Sequence, residues 1–119
     1  MKSYTDIEQS KKLAEILPVE TADMCYPKDA FEYNYAKEPV CHYSGIGLAH
    51  PCWSLAALLV ILAKIASKID DDGSADLSSF MGQWSVNMLD CPVQATDNYD
   101  SAVDACVEMI IKLNELNLL

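Results

Sequence analysis

The chain has 119 residues, of which 51% are apolar and 22% charged, as expected for one globular domain and not for a disordered chain. Its formal net charge is −10, from 18 acidic residues and 8 lysines, and it contains no arginine. Arginine is the residue that most often forms bidentate hydrogen bonds to phosphates and to the edges of guanine bases. Its absence, together with the negative charge, argues against binding to nucleic acid or to an anionic membrane. We expect a single domain spanning residues 1–119.

A helix is predicted near the N-terminus, over residues 5–17. Thr5 and Glu8 have the spacing of a capping box, in which Thr5 would be the N-cap and Glu8 the third helical residue. Pro18 cannot continue the helix and marks its end. Residues 18–50 show no clear period, and we predict only two short strands there, near 22–26 and 39–44.

A strongly apolar helix is predicted at the centre of the chain, with Ser54 as its cap. Its longest uncharged run, Cys52 to Ala63, has twelve residues, whereas a membrane span needs about twenty. We therefore expect a central helix that is covered on most sides. Lys64 and Lys68 mark its exposed end.

The stretch IDDDGSADL, residues 69–77, is a candidate cation loop. With Gly73 at the sixth position of an EF-hand loop, Lys68 and Ser79 fall at the two anchoring positions where carboxylates are required. The preferred interpretation is a polar turn in which Gly73 has a positive φ, and weak cation binding is the alternative. Four ligand positions of the template are filled, by Asp70, Asp72, Ser74 and Asp76.

A strand is predicted over residues 80–88, where apolar side chains alternate. Phe80, Trp84, Val86 and Met88 fall on one face of it. Residues 92–96 are predicted to be its hairpin partner, after a turn at residues 90–92.

The last helix is predicted to begin after several candidate N-caps in residues 97–101 and to run close to the end of the chain. One side of this helix and its lead-in is acidic, with residues at helical spacing: Asp97, Asp100, Asp104 and Glu108. Acids are favourable at a helix N-terminus and on a solvated face, which is the simpler interpretation. The alternative is a surface that mimics DNA phosphates and occupies a basic site on another protein.

The five cysteines are odd in number and irregularly spaced, and the polar N-terminus has no apolar signal region. We therefore expect free thiols in a reducing cytoplasm. Cys41 and His42 with His50 and Cys52 invite comparison with a zinc site, but adjacent ligands in a strand point to opposite faces. Cys52, before a helix, is the best candidate nucleophile, with His42 or His50 as its base. No complete catalytic set is present, so we expect no cofactor.

Three stretches resemble a group of small, uncharacterised proteins of gut bacteria that are carried on prophages or other mobile elements. They are DIEQSKKLAEILP at 6–18, PCWSLAALL at 51–59 and DNYDSAVDACVEMIIKLNELNLL at 97–119. The resemblance covers under half of the chain and implies an α+β unit with a hairpin between its last two helices. The group has no assigned activity, so the resemblance carries no functional residue to this chain.

Together these observations predict an α+β domain of three helices with a small antiparallel sheet. The leading functional hypothesis is a non-catalytic module that binds another protein or a second copy of itself, without nucleic acid or membrane as partner. Leu116, Leu118 and Leu119 would join such an interface or dock on their own sheet. The alternatives are an acidic charge mimic that inhibits a DNA-acting protein and a small thiol-dependent enzyme.

Overall fold

The computed structural model describes residues 2–27, 39 and 49–119, which form an α+β domain. Its α-helices are α1 (Ile7–Ile16), α2 (Leu55–Ile69) and α3 (Ala102–Glu115), with a 3-10 turn at Val19–Thr21. Antiparallel strands β1 (Met24–Pro27) and β2 (Ala49–Cys52) form one sheet, and β3 (Ser74–Phe80) and β4 (Gln83–Leu89) form another. The α+β class and the three helices are confirmed within these residues, but the strands form two sheets instead of the single one expected. The strand predicted near 39–44 lies outside the described residues, apart from Pro39.

The N-cap of helix α1 lies one residue later than predicted. The capping box is made by Asp6, whose carboxylate accepts a hydrogen bond from the Gln9 backbone N–H at 2.8 Å, and by Gln9, whose side chain accepts from the Asp6 N–H at 3.1 Å. Thr5 does not cap the helix because its buried hydroxyl accepts a hydrogen bond from the Trp53 backbone N–H instead. The prediction of Thr5 and Glu8 as the capping pair is therefore wrong.

Helix α2 is capped by Ser54, as predicted, through a 3.1 Å hydrogen bond from the Ala57 N–H to the Ser54 hydroxyl. One side of the helix is buried in the core and carries Leu58, Ile61, Leu62, Ile65 and Ala66. The opposite side is exposed although it is largely apolar, with Ala56, Val60, Ala63 and Ser67. The remaining positions, Leu55, Ala57, Leu59 and Ile69, are partly buried against the core, so the helix is covered on most sides as expected, with one side open.

The turn after α2 is tight against the helix. Asp70 is the C-cap, and the Gly73 N–H donates to its carbonyl oxygen at 2.8 Å. Gly73 does not have the positive φ expected of it, since Gly82 is the glycine in the described residues that does. A side chain at Gly73 would instead collide with the helix, because a Cβ there would lie 2.3 Å from the Ala66 carbonyl oxygen.

The loop between β3 and β4 has two residues, Met81 and Gly82, with φ of 53° and 79°. Positive φ at both positions is the geometry of a type I′ turn, whose twist suits a hairpin. Phe80 pairs with Gln83 next to this turn, so the predicted strand over 80–88 is divided between the two strands of the hairpin.

The inner face of β4 is as predicted, since Val86 and Met88 are buried and Trp84 is partly covered. The predicted partner, residues 92–96, is wrong because β3 pairs with this strand. Residues 92–96 instead contact the edge of β4 that does not face β3, where the Thr96 N–H donates a hydrogen bond to the Val86 carbonyl at 2.9 Å.

The core lies where the inner face of this hairpin meets α1, α2 and α3. Helix α3 has Ser101 as its N-cap. It contributes a larger number of buried residues than the other two helices, among them Val103, Cys106 and Ile110. Trp53 is fully buried, and its indole N–H donates to the Thr21 hydroxyl at 2.9 Å. Within residues 2–27 and 49–119, no helix has both the length and the apolar character needed to cross a bilayer.

Candidate functional site

The candidate cation loop does not gather its four oxygen donors. The Asp70 carboxylate accepts a 2.8 Å hydrogen bond from the Asp72 N–H, which makes a local turn. Ser74 and Asp76 lie on β3, where residues two apart are separated by about 7 Å. All four side chains are exposed, and in the described part of the chain no three carboxylate, imidazole or thiol groups are grouped so that they could hold a metal ion.

The acidic side of α3 is divided between different surroundings. Asp104 is half-buried, and its Oδ1 accepts hydrogen bonds from Lys2 Nζ at 2.8 Å and from Gln9 Nε2 at 2.7 Å. Burial raises the pKa of Asp104, but hydrogen bonds from Lys2, Gln9 and Ser101 outweigh it and hold the pKa below its ordinary value. Its charge is therefore paired inside the molecule.

Two other members of the predicted acidic surface, Asp97 and Glu108, line a cavity of about 380 Å³ between the 94–99 segment and α3. Glu115 and Tyr99 also line this cavity. Burial, together with the neighbouring acidic side chains, raises the pKa of Tyr99. The cation of the cavity, Lys112, donates to the Gln94 carbonyl at 3.1 Å. Asp100 is exposed and does not line this cavity.

The candidate nucleophile Cys52 is fully buried. Its thiol donates to the Thr5 carbonyl at 3.4 Å and accepts from the Thr5 hydroxyl at 3.5 Å. Burial raises the pKa of Cys52 against weaker opposing hydrogen bonds, which is the reverse of what an activated thiolate needs. His50 lies two residues earlier on β2, and Cys41 and His42 lie outside the described residues.

Thr5 is at the centre of a buried polar network that local pattern did not predict. Its hydroxyl lies 2.8 Å from the Ser10 hydroxyl and accepts from the Trp53 N–H at 3.1 Å. The Tyr26 hydroxyl donates to the Thr5 carbonyl at 2.8 Å. In the part of the chain that is described, no buried side-chain nitrogen or oxygen lacks a partner, so this network is structural.

A groove runs along α2, between that helix and residues 16–23, and is called the α2 groove below. It consists of two adjoining cavities of about 500 and 430 Å³, which share Thr21, Ile61 and Lys64 as lining residues. The first cavity also includes Ala56 and Val60, and the second includes Leu17, Ile65 and Leu119. The sequence did not predict this groove because residues 16–23 show no pattern that would place them beside α2.

The α2 groove is lined mainly by apolar side chains, with acidic residues at one end and lysines in its middle and at the other end. Glu20 and Asp23 line the cavity nearer the start of α2, and the Asp23 carboxylate accepts hydrogen bonds from the Ser54 N–H and hydroxyl. Lys68 lines the cavity nearer its end and Lys64 lines both cavities, and neither lysine has an ion-pair partner among the described residues. Between these ends, Val60 is 53% exposed.

A second exposed apolar feature is the turn of the β3–β4 hairpin. Phe80 is 75% and Met81 86% exposed there. Phe80 is the last residue of β3, and Met81 is the first residue of the two-residue loop. The α2 groove differs from this tip because it is concave and lined by residues from separate parts of the chain.

No protein-family model, curated protein or solved structure gives a significant match to the chain. The class of protein is thus defined by its own structure, as a small α+β domain with an apolar groove along its most apolar helix. The relationship to proteins of gut-bacterial mobile elements stays a prediction.

Proposed function

We propose that this chain is a non-catalytic protein-interaction module and that the α2 groove is its binding surface. The observation that carries the proposal is the exposure of Val60 in the middle of α2, where it lines the larger of two adjoining cavities that could receive side chains of a partner. An apolar helix face that stays open to water, with charged residues at its ends, is typical of a surface that a partner covers.

The energetics favour such use of the groove. Each square ångström of apolar surface removed from water stabilises a complex by about 25 cal/mol, before the cost of association is subtracted. Docking of a helix into an apolar groove is a common recognition mode, read by residues one turn apart on the bound helix. The α2 groove follows one helix for several turns and fits that mode.

The two alternatives have weaker support. For a charge mimic, Asp104 is paired with Lys2 and Glu108 is partly covered, which leaves Asp97 and Asp100 as the exposed acids of the predicted surface. For a thiol enzyme, burial raises the pKa of Cys52, which disfavours the thiolate that such an enzyme needs. These contacts favour the interaction module over both alternatives.

A cytoplasmic setting is part of the proposal. Cys25, Cys52, Cys91 and Cys106 are all free thiols, and the fold requires no disulfide among them. Free thiols that are mostly buried fit a reducing compartment.

The proposal is tested by comparing two matched variants, Val60→Glu in the groove and Leu89→Glu on β4. Both place a charge at an exposed apolar position, since Leu89 is 42% exposed, so both should fold like the original chain by circular dichroism. We expect proteins captured from an extract of native cells to be lost with Val60→Glu and kept with Leu89→Glu. The purified partner should then bind Val60→Glu at least about tenfold more weakly. Identical capture by both variants would contradict the proposed surface.

A further inference from the structure

We propose that the open edge of strand β3 pairs with the same edge of a second copy of this chain, so that the two hairpins form one continuous antiparallel sheet. This inference goes beyond the proposed function, because it concerns a surface other than the α2 groove and names the partner. It follows from the backbone groups that β3 directs outward, from the near absence of charge along the hairpin, and from the register in which two copies of β3 match.

The backbone of β3 has an unpaired edge. Phe80 and Gln83 flank the two-residue turn and form a hydrogen-bonded pair, so every second residue from Phe80 back to Ser74 bonds to β4. The backbone N–H and C=O groups of the residues between them point away from β4. In the described part of the chain these groups make no hydrogen bond to another backbone group. The outward-directed residues are Ala75, Leu77 and Ser79.

The other edge of the hairpin shows the same alternation. Trp84, which lies opposite Ser79, exchanges backbone hydrogen bonds of 2.7 and 2.8 Å with Tyr99. Val86, which lies opposite Leu77, also directs its carbonyl away from β3 and accepts a hydrogen bond there. The outer edge of β4 is therefore occupied, and among the described residues the edge of β3 is the one left open.

Strand β3 lacks the features that usually protect an edge strand from pairing. Such strands are typically very short or interrupted by a bulge, or they carry lysine or proline. Strand β3 has seven residues, pairs residue for residue with β4 and contains neither lysine nor proline. Asp76 is the one charged residue in 73–89, although 22% of the whole chain is charged. An edge of this kind is a template for a further strand.

Two copies of β3 match when they run antiparallel with Leu77 opposite Leu77 of the second copy. In this register Ala75 of each copy lies opposite Ser79 of the other, so outward-directed residues face one another throughout. Each facing pair exchanges two backbone hydrogen bonds, and the arrangement closes on a twofold axis. A shift of the register by two residues would leave one of the three without a counterpart. The backbone pattern therefore selects one register.

The side chains on the outer face of β3 suit the same register. Asp76 of each copy lies opposite Ser78 of the other, whose hydroxyl is a hydrogen-bond donor for the carboxylate, so no two charges are opposed. Phe80, which is 75% exposed, lies opposite Ser74 of the second copy and is partly covered by it. Pairing thus removes apolar surface from water without opposing like charges.

The acidic residues before β3 do not oppose pairing at short range. Asp70, Asp71 and Asp72 precede the strand, so the antiparallel arrangement places them beside the uncharged turn at Met81 and Gly82 of the second copy. The two acidic groups lie at opposite ends of the pair, at least about 23 Å apart, whereas salt screens charges beyond about 8 Å.

The expected dimer is weak. Backbone pairing along one strand gives an interface below the range of stable complexes, and two copies of net charge −10 repel each other. We expect a dissociation constant on the order of 100 µM. Sedimentation velocity from about 10 µM to about 1 mM should therefore follow the passage from monomer to dimer.

Hydrogen exchange measured by NMR identifies the surface that pairs. Between about 50 µM and about 1 mM, we expect the amides of Ala75, Leu77 and Ser79 to exchange about threefold more slowly, because the fraction of monomer falls by about that factor. The amides of Asp76 and Ser78 already bond to β4 and should change little. Association that leaves the three outward amides unchanged would overturn the assignment of this edge.

Charge substitution tests the register. Ser78→Lys places an opposite charge beside Asp76 of the second copy, and Ser78→Asp places a like charge there, each at two symmetric positions. We expect the lysine variant to dimerise at least about threefold more tightly than the original chain and the aspartate variant at least about threefold more weakly.

Ser85 provides the matched control for these variants. It lies opposite Ser78 on β4 and on the same face, but one strand further from the second copy. Ser85→Lys and Ser85→Asp change the net charge equally, so their dissociation constants should differ by less than about twofold. Circular dichroism checks that all four variants fold. Equal effects at the two positions would overturn the proposed register.

The remaining outcomes separate the second copy from other partners. An original chain that stays monomeric up to about 1 mM overturns self-pairing. If a protein from an extract of native cells then slowed exchange at the same amides, the edge would bind a different partner, and the second copy would be the wrong occupant. Capture that depends on Val60 is measured independently, so this inference and the proposed function can fail separately.

Discussion

Lys2 and Asp104 hold the N-terminal segment against α3, with 2.8 Å between Lys2 Nζ and Asp104 Oδ1. Both side chains are 29% exposed, so water screens this pair less than it screens an ordinary surface ion pair. Gln9 of α1 donates to the same carboxylate at 2.7 Å. One carboxylate therefore joins the N-terminal segment, the first helix and the last helix.

The first prediction concerns the carboxylate at the centre of this contact. We expect Asp104→Asn to lower the free energy of unfolding by about 1–2 kcal/mol, because it removes a charge-assisted hydrogen bond and leaves Lys2 less well paired. Urea denaturation at neutral pH measures the loss. Asp100→Asn is the matched control, since Asp100 is exposed and should change stability little. Equal effects of the two substitutions would show that the contact contributes no stability.

The second prediction is the pH dependence of the same contact. The folded-state pKa of Asp104 is lowered, so its stabilisation is fully present above the unfolded pKa of about 4 and is lost as pH falls through the lower folded pKa. Burial lowers the pKa of Lys2, but hydrogen bonds to Asp104 and Asp6 outweigh burial and raise it. The contribution of Lys2 is therefore fully present below its unfolded pKa of about 10.4 and is lost as pH rises through the higher folded pKa.

We expect the difference in unfolding free energy between the original chain and Asp104→Asn to be constant from about pH 5 to 9 and to shrink at either extreme. Urea midpoints measured at intervals from acid to alkali follow the difference. A difference that grows as pH falls below about 4 would reverse the sign and refute the assignment of the lowered pKa to Asp104.

The third prediction concerns the buried hydroxyl of Thr5. Thr5→Val keeps the shape but leaves the Trp53 N–H without its acceptor, and we expect a loss of about 2 kcal/mol in the free energy of unfolding. Thr5→Ser keeps the hydroxyl and removes one methyl group, which should cost about 1 kcal/mol. Chemical denaturation of both variants decides the order. If serine destabilised more than valine, packing and not hydrogen bonding would govern this site.

The features of the fold that could be predicted from the sequence are those determined by residues close together in the chain. The capping hydroxyl of Ser54, the end of α1 before Pro18 and the alternation of Trp84, Val86 and Met88 all depend on local geometry. Thr5 shows the limit of this reasoning. Thr5 and Glu8 have the residue types and spacing of a capping box. The Thr5 hydroxyl instead accepts a hydrogen bond from the backbone N–H of the distant Trp53, and Asp6 caps the helix.

The features that sequence missed depend on contacts between distant residues. Helix α2 is apolar nearly all round, so its composition could not indicate which side the rest of the chain leaves open. Strand β3 was missed because SADLSSF is mostly small and polar, and pairing with β4 supplies its order. Lys2 and Asp104 are 102 positions apart, and no local pattern connects them.

The fourth prediction concerns the turn of the β3–β4 hairpin. Met81 has a φ of 53°, in the left-handed region that costs an ordinary residue about 1 kcal/mol or more. Asparagine tolerates this region, and Asn-Gly is the preferred pair for a type I′ turn. We therefore expect Met81→Asn to raise the free energy of unfolding by about 0.5–1 kcal/mol and to remove a side chain that is 86% exposed.

Two further substitutions separate the turn conformation from the loss of an exposed methionine as the source of that gain. Met81→Leu keeps an apolar side chain with no better tolerance of positive φ, so it should leave stability within about 0.5 kcal/mol of the original. Gly82→Ala meets no atom within 4 Å, but its φ of 79° should cost about 1 kcal/mol. Thermal and urea denaturation compare the three variants. A gain for leucine equal to that for asparagine would show that the effect does not come from the turn conformation.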